Sequence, residues 1–310
     1  MHTVFTVALP VFGVVAAGIL AGRLNILTAD DSTVLNKFIY RAAMPAALFG
    51  LTAGAAPPEG ADLSIAATYM IAAIIVLFSA YFFAQMFHGL ARQPAGAHAF
   101  GSVFGNAVFL GLPIALSIDG WIRPYAILIL AEGVVVVALG LILYAPSDGA
   151  TSLGGRIVRG LSGAVRNPLL IAAAAGFGLS ALRVDLAAPI ENFFGILGRA
   201  AGPTALFSLG LFLGTQALSN ISQFAGRATT IAMAKLGLMP LIALSIAPVL
   251  GVPDGDYFGA LALFVFVPTA VGAFVIAEQN GVYRTETAAA ISLTSLLSLG
   301  TISTVLFLFA

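Results

Sequence analysis

Long apolar blocks alternate with short polar segments along this chain. A helix that crosses the hydrocarbon core of a membrane needs about 20 mainly apolar residues, and ten blocks of about that length are present. In chain order they are residues 3–22, 33–54, 64–88, 97–117, 123–145, 167–183, 189–217, 224–249, 257–279 and 285–309. The segments between them carry turn residues, as in Pro57–Gly60. The pattern predicts an all-α polytopic membrane protein with ten transmembrane helices, named spans 1 to 10 in chain order.

The composition agrees with this interpretation. Of the 310 residues, 60% are hydrophobic and only 8% are charged, whereas a soluble domain carries about 25% charged residues. Most of the surface is therefore expected to contact membrane lipid. The formal net charge is zero, so no basic field is available to attract nucleic acid. The chain has no cysteine, and its histidines, His2, His88 and His98, are expected at the terminus or near loops. Neither a metal site nor a bound cofactor is predicted.

Arginine is distributed unevenly between the predicted loops. The odd-numbered loops contain seven arginines, and the even-numbered loops contain two. The seven are Arg23, Arg92, Arg156, Arg159, Arg166, Arg227 and Arg284, and the two are Arg123 and Arg183. Because positively charged loops stay on the cytoplasmic side, the odd loops are predicted to be cytoplasmic. Both termini would then face outward from the inner (plasma) membrane.

One segment of span 2 is repeated in span 7. Residues 41–49 read RAAMPAALF and residues 199–207 read RAAGPTALF, so seven of nine positions are identical at an offset of 158. The same offset aligns Gly18 of span 1 with Gly176 of span 6. The sequence therefore predicts an internal repeat.

The repeat divides the chain into two halves of five spans each. Residues 1–145 form the first half, residues 146–166 a cytoplasmic linker, and residues 167–310 the second half. Because five is odd, the second half would enter the membrane in the opposite orientation. Inverted repeats of this kind are typical of secondary transporters, which bind substrate near the membrane midplane at interrupted helices.

Span 4 and span 9, the fourth in each half, carry the residues that favour such an interruption. Span 4 contains Gly105-Asn106 followed by Gly111 and Pro113, and span 9 contains Pro268-Thr269. We predict that both helices break at these segments and cross each other, the alternative being simple proline kinks. The predicted substrate-binding residues are Asn106, Gly111, Pro113, Pro268 and Thr269. The amide of Asn106 could instead form an interhelical hydrogen bond.

Two charged residues lie deep within predicted spans. Lys235 is about 11 residues into span 8 and Glu132 about ten residues into span 5. Intramembrane charges are costly and are usually paired or functional. The two could neutralise each other as a structural pair, or one could carry a coupling proton or ion, and Lys235 could also snorkel to the interface.

Several glycine pairs have the spacing that lets helices approach closely. Their most common role is helix packing. The pairs are Gly18/Gly22, Gly50/Gly54, Gly101/Gly105 and Gly210/Gly214.

With these segments in view, the chain resembles the auxin efflux carrier family, whose bacterial members include malonate and other organic-acid carriers. The matching stretches are residues 35–49, Gly105–Pro113, Lys235–Pro240 and the tail from Pro268 to Thr301. The family is similar to the bile-acid/sodium symporter fold. The resemblance therefore implies ten helices in two inverted five-helix repeats, with helices 4 and 9 broken and crossing.

The resemblance also implies a division of labour among the spans. Spans 1, 2, 6 and 7 would form a scaffold that dimerises, and spans 3–5 and 8–10 a transport domain that moves in an elevator-type mechanism. The family's helix-4 asparagine corresponds to Asn106, and its crossover prolines correspond to Pro113 and Pro268. Span 9 has no dense acidic cluster, because Glu278 falls near its cytoplasmic end, which disfavours sodium coupling.

We therefore expect a secondary active or potential-driven transporter, not an enzyme. It would export small organic anions, such as dicarboxylates or auxin-like acids, with H⁺ or Na⁺ as possible coupling ions. A channel would need polar or charged pore-lining rings, and the sequence shows none. An intramembrane enzyme would have to rely on Ser–Lys or carboxylate chemistry.

Overall fold

The structure, a computed structural model, describes residues 2–54, 59–133, 136, 138–144, 168–215 and 225–309. Within these ranges the chain is helical and forms no β-strand. The helices are α1 (His2–Arg23), α2 (Ala29–Phe38), α3 (Met44–Ala53), α4 (Gly60–His88), α5 (Arg92–Val103), α6 (Leu112–Ala115), α7 (Ile122–Glu132), α8 (Ala138–Tyr144), α9 (Pro168–Ala181), α10 (Ala188–Arg199), α11 (Ala201–Thr215), α12 (Ala225–Met233), α13 (Met239–Ile246), α14 (Asp256–Phe266), α15 (Val271–Asn280) and α16 (Arg284–Phe309). π-Helical turns accompany them, among them π1 (Ile39–Ala43), π2 (Ala107–Gly111) and π3 (Ala234–Leu238).

Each predicted span overlaps one or more of these helices, so the all-α class is confirmed for the described ranges. Among the described residues, three helical stretches are long and apolar enough to cross a membrane. They are Gly60–His88, Ala225–Ile246 and Arg284–Phe309. The arrangement as ten spans in inverted halves stays a prediction, and the linker at residues 146–166 lies outside the described residues.

Polar residues mark the starts of helices α2 and α4. Thr28 and Asp31 cap α2 reciprocally, each side chain bonding the backbone N–H of the other. Glu59 and Asp62 form the same capping box at the start of α4. Such boxes satisfy N–H groups that have no partner within the helix. At the other end of α4, Gly89 stops the helix in the left-handed conformation with φ of 61°.

One group of helices packs through glycine. Helix α1 lies against α11, where Gly18 faces the backbone around Gly210 and Gly214 faces Ile19. Helix α9 lies against α3, where Gly176 faces Thr52. The close packing predicted for the glycine pairs of spans 1 and 7 is therefore confirmed.

A second group contains α4, α5, α7, α12, α14 and α16, which pack on one another. Two ion pairs join the starts of its helices. Arg123 of α7 binds Asp62 of α4 at 2.6 Å, and Arg227 of α12 binds Glu286 of α16 at 2.8 Å. Tyr257 of α14 also donates to Asp62, at 2.7 Å. Asp62 is thus the acceptor that ties three helices together.

Replacing Asp62 by asparagine is expected to destabilise the protein by about 2–3 kcal/mol. The side chain is 2% exposed and accepts from Arg123, Tyr257 and the backbone N–H of Glu59. An amide keeps the shape but turns one acceptor oxygen into a donor that faces other donors. Thermal unfolding in detergent measures the loss. Asp119→Asn, at an exposed position, is the control, and equal melting temperatures for the two variants would contradict this role of Asp62.

Candidate binding site where two interrupted helices cross

The helices of spans 4 and 9 are both interrupted by extended backbone. Helix α5 ends at Val103, and Phe104 is extended with φ of −65° and ψ of 109°. Helix α14 ends at Phe266, and Val267 is extended with φ of −66° and ψ of 149°. Helical structure resumes at π2 and at α15. The interruptions predicted for these two spans are therefore present.

The two extended segments run antiparallel and are hydrogen-bonded to each other. Gly105 faces Thr269 in a two-residue bridge. The N–H of Asn106 donates to the carbonyl of Pro268 at 2.7 Å, and the N–H of Ala270 donates to the carbonyl of Phe104 at 3.0 Å. We call residues 104–106 and 268–270 the crossing segments.

The position of the crossing in span 4 differs from the prediction. Pro113 was expected to lie at the break, but it lies in the first turn of α6, beyond π2. The crossing instead depends on Gly105, where a Cβ atom would lie 2.9 Å from Cγ2 of Val267. Because glycine has no side chain, the two backbones can approach closely. Span 4 therefore opens at its glycine.

Asn106 presents a buried amide without a partner. The residue is 1% exposed, and neither its Nδ2 nor its Oδ1 has a hydrogen-bond partner among the described residues. Buried polar atoms are nearly always bonded, so an exception calls for an explanation. The alternative of a simple interhelical hydrogen bond is not observed here. The amide of Asn106 is therefore a candidate group for binding a ligand.

The other predicted site residues divide into two places. Pro268 and Thr269 lie in the crossing, where the hydroxyl of Thr269 donates to the carbonyl of Gly101 at 2.9 Å. Gly111 lies beside the hydroxyl of Tyr125, and Pro113 packs near Gly202 of α11. The crossing thus belongs to the second helix group, and its span-4 arm reaches the first group.

Lys235 and Glu132 flank the crossing on either side of Gly105 and form no direct salt bridge. Glu132 is 5% exposed, and its Oε1 accepts from the hydroxyl of Tyr69 at 2.9 Å and from the N–H of Gly105 at 3.0 Å. Lys235 is 1% exposed and donates to the carbonyl of Val265 at 2.9 Å. Of the ion pairs within 4.0 Å that the described residues form, none joins these two. Lys235 does not snorkel, because its amine is bound at the end of α14.

The sequence of this chain matches a family of known proteins over most of its length. A family model described as "Membrane transport protein" matches residues 3–151 and 159–306. The chain belongs to this membrane transport protein family. It is 27% identical to a putative malonate transporter of Rhizobium meliloti, over 99% of this chain and 96% of the relative. It is 24% identical to the uncharacterized transporter YfdV of Escherichia coli, over 90% of each protein. The resemblance seen in the sequence is confirmed, and the family is one of transporters, not enzymes.

Three features of this membrane transport protein were not anticipated from its sequence. Tyr69 bonds Glu132, and Thr294 of α16 accepts the N–H of Thr269 at 3.1 Å. His98, expected near a loop, is buried, with its Nδ1 2.9 Å from the hydroxyl of Tyr283. Spacing could have indicated Thr294, because it follows Thr269 about as closely as Glu132 follows Gly105.

Proposed function

We propose that this chain is a secondary active or potential-driven transporter that exports small organic anions. The observation that carries the proposal is the unpartnered, buried amide of Asn106 at the crossing. A carboxylate oxygen can accept from Nδ2. The relative named as a putative malonate transporter supports a dicarboxylate as the first substrate to test.

Two helix N-termini add to the attraction for an anion. The helical turn π2 begins at Ala107, directly after Asn106, and α15 begins at Val271, directly after the other crossing segment. The N-terminus of a helix carries partial positive charge. A carboxylate beside the Asn106 amide would therefore lie near two positive helix ends.

Helix packing supports the proposal that the two halves are inverted repeats. The repeat pairs α1 with α9 and the α2–α3 helix with the α10–α11 helix. Helix α1 packs on α11, and its counterpart α9 packs on α3. Such an exchange of partners is what two halves related by a pseudo-twofold axis would show. The crossing residues Gly105 and Thr269 likewise occupy matching places in the two halves.

The two ion pairs support the same relation. Asp62 and Arg123 lie at the starts of the third and fifth spans of the first half, and Arg227 and Glu286 at the same places in the second half. The acidic and basic partners are exchanged between the halves. Each pair would therefore hold one end of the transport domain, on opposite sides of the membrane.

We further propose how the halves work together. Spans 1, 2, 6 and 7 act as the scaffold, and spans 3–5 and 8–10 move against it in an elevator-type cycle. The packing of Pro113 near Gly202 of α11 supports a boundary between the scaffold and the transport domain at the span-4 arm. Two copies would associate through the scaffold, where Ile190, Phe193 and Ile196 of α10 are exposed.

The membrane potential gives the direction of transport. With both termini outside the inner (plasma) membrane, the arginine-rich loops face a cytoplasm that is electrically negative. An inside-negative potential favours exit of an anion by about 2.3 kcal/mol per charge per 100 mV. A coupling H⁺ or Na⁺ would add to this driving force or oppose it.

Flux in proteoliposomes tests the proposal. We expect saturable counterflow of labelled malonate that other small dicarboxylates inhibit, and net malonate movement that follows an imposed potassium diffusion potential. Empty liposomes are the control. Absence of carboxylate flux in protein that is folded by thermal melting would refute the proposed function. Single-channel currents would favour the channel alternative instead.

A further inference from the structure

The four backbone N–H groups at the bridge between the crossing segments are all hydrogen-bonded. Asn106 and Ala270 donate to each other's segment. The N–H groups of Gly105 and Thr269 point away from the bridge and donate to side chains. Glu132 of α7 accepts from Gly105 at 3.0 Å, and Thr294 of α16 accepts from Thr269 at 3.1 Å.

These two side-chain acceptors occupy matching places. Each comes from the last span of its half, Glu132 from span 5 and Thr294 from span 10, and each is buried, Glu132 at 5% and Thr294 at 0% exposure. One is a carboxylate and the other a hydroxyl. What they share is an acceptor oxygen aimed at a bridge N–H, so the shared role does not require a charge.

Each acceptor oxygen is itself held in place. The hydroxyl of Thr294 donates to the carbonyl of Ala290 in its own helix at 2.7 Å. Its proton is thereby used, and a lone pair is left for the N–H of Thr269. Glu132 receives the hydroxyl of Tyr69 on the same oxygen that accepts from Gly105.

Both acceptors act on the peptide planes that join the two segments. The peptide bond between Pro268 and Thr269 carries the carbonyl that binds the N–H of Asn106 and the N–H that binds Thr294. Because a peptide unit is planar, fixing its N–H also fixes its carbonyl. Thr294 therefore orients the group that holds the backbone of Asn106. Glu132 likewise fixes the peptide bond between Phe104 and Gly105, whose carbonyl accepts from the N–H of Ala270 in the other crossing segment.

We propose that Thr294 and Glu132 are a matched pair of positioning residues that lock the two crossing peptide planes and thereby aim the Asn106 amide at the substrate. The proposal rests on the proposed function for its last step, the contact of Asn106 with a carboxylate. Neither side chain needs to touch the substrate. In this role Glu132 serves as a hydrogen-bond acceptor and not as the carrier of a coupling proton.

Substitutions at Thr294 test the acceptor role. Thr294→Val keeps the shape and removes the oxygen, and we expect the KM for malonate to rise about tenfold while the maximal rate changes less than about twofold. Thr294→Ser restores the oxygen and should restore the KM. Thr287→Val is the matched control, because Thr287 is buried in the same helix and donates to a carbonyl one turn earlier, that of Tyr283. A KM that rises equally in Thr287→Val and Thr294→Val would overturn the proposal.

Hydrogen exchange gives a readout that does not depend on substrate. In Thr294→Val the amides of residues 269–272 should exchange faster than in wild type, and in Thr294→Ser they should not. Unchanged protection in Thr294→Val would overturn the positioning role. Lost protection with an unchanged KM would show that the crossing does not aim Asn106. If wild type moves no carboxylate, the proposed function fails separately, and the exchange result still decides whether Thr294 fixes the crossing.

Two substitutions at Glu132 distinguish its role as a hydrogen-bond acceptor from a role that requires its charge. Glu132→Gln keeps a carbonyl oxygen that can accept from Gly105 and Tyr69, whereas Glu132→Leu removes it. We expect the glutamine variant to keep the wild-type KM, its dependence on pH and the exchange protection of Gly105, and the leucine variant to lose protection. A glutamine variant that loses pH dependence or transport as fully as the leucine variant would overturn the acceptor role in favour of a charged one.

Discussion

Replacing Asn106 by alanine is expected to lower malonate transport, measured as the ratio of maximal rate to KM, by about 100-fold. The amide is the buried group at the crossing that no described residue satisfies, and a hydrogen bond to a charged ligand is worth more than one between neutral groups. Initial rates of counterflow in proteoliposomes with matched protein content measure the loss.

The same variant should not lose stability. The side-chain nitrogen and oxygen of Asn106 have no partner among the described residues. Alanine therefore removes no hydrogen bond there, and it also removes the desolvation cost of a buried polar group without a partner. We expect an unchanged or higher melting temperature for ligand-free Asn106→Ala, together with loss of the stabilisation that malonate gives to wild type. A protein in which asparagine is structural would instead melt earlier.

Asn280→Ala is the matched control for loss of an asparagine. Asn280 is exposed near the end of α15, and its amide donates to the carbonyl of Ile276 in the same helix at 2.8 Å. It should transport malonate at the wild-type rate. Wild-type transport by Asn106→Ala would contradict the binding role of this amide, on which the proposed function depends.

The crossing could be predicted in outline because residues that break helices lie at it. Glycine and proline fall at corresponding places in spans 4 and 9, and both helices are interrupted there. The exact residues could not be predicted from proline alone. A proline in the first turn of a helix costs no hydrogen bond, so Pro113 fits α6 without breaking it. The opening falls at Gly105, where the contact with Val267 leaves no room for a side chain.

The partners of the buried charges could not be predicted for a different reason. Depth in a span shows that Lys235 and Glu132 must be satisfied, and pairing with each other is the simplest solution. An interrupted helix offers further partners, since its last carbonyls and bridge N–H groups are no longer bonded within the helix. Lys235 takes the carbonyl of Val265, and Glu132 takes the N–H of Gly105. These backbone groups can be identified as partners only when the position of the helix break is known.

Helix packing by glycine could be anticipated more fully. Small residues four apart form a groove whatever the partner helix is, so the sequence indicates the contact surface but not its partner. The structure supplies the partner: Gly18 and Gly22 of α1 meet Gly210 and Gly214 of α11. This contact leads to the second prediction of large effect.

Replacing Gly18 by alanine is expected to destabilise the protein by about 1–3 kcal/mol. The added Cβ would clash with the carbonyl oxygen of Phe207 and lie 2.8 Å from the backbone nitrogen of Leu211. Both are backbone atoms, which cannot rotate away as a side chain could, so α1 and α11 must separate. Thermal unfolding in detergent would show the loss as a lower melting temperature.

Gly13 provides a control with the opposite expected sign. It lies in the same helix, and a Cβ there would meet nothing within 4 Å. Because alanine favours helix over glycine by about 1 kcal/mol, Gly13→Ala should melt at the same temperature as wild type or higher. The difference between the two variants therefore isolates the contact with α11 from helix propensity. If both substitutions shifted the melting temperature in the same direction by the same amount, the close approach of α1 and α11 at Gly18 would not be a determinant of stability.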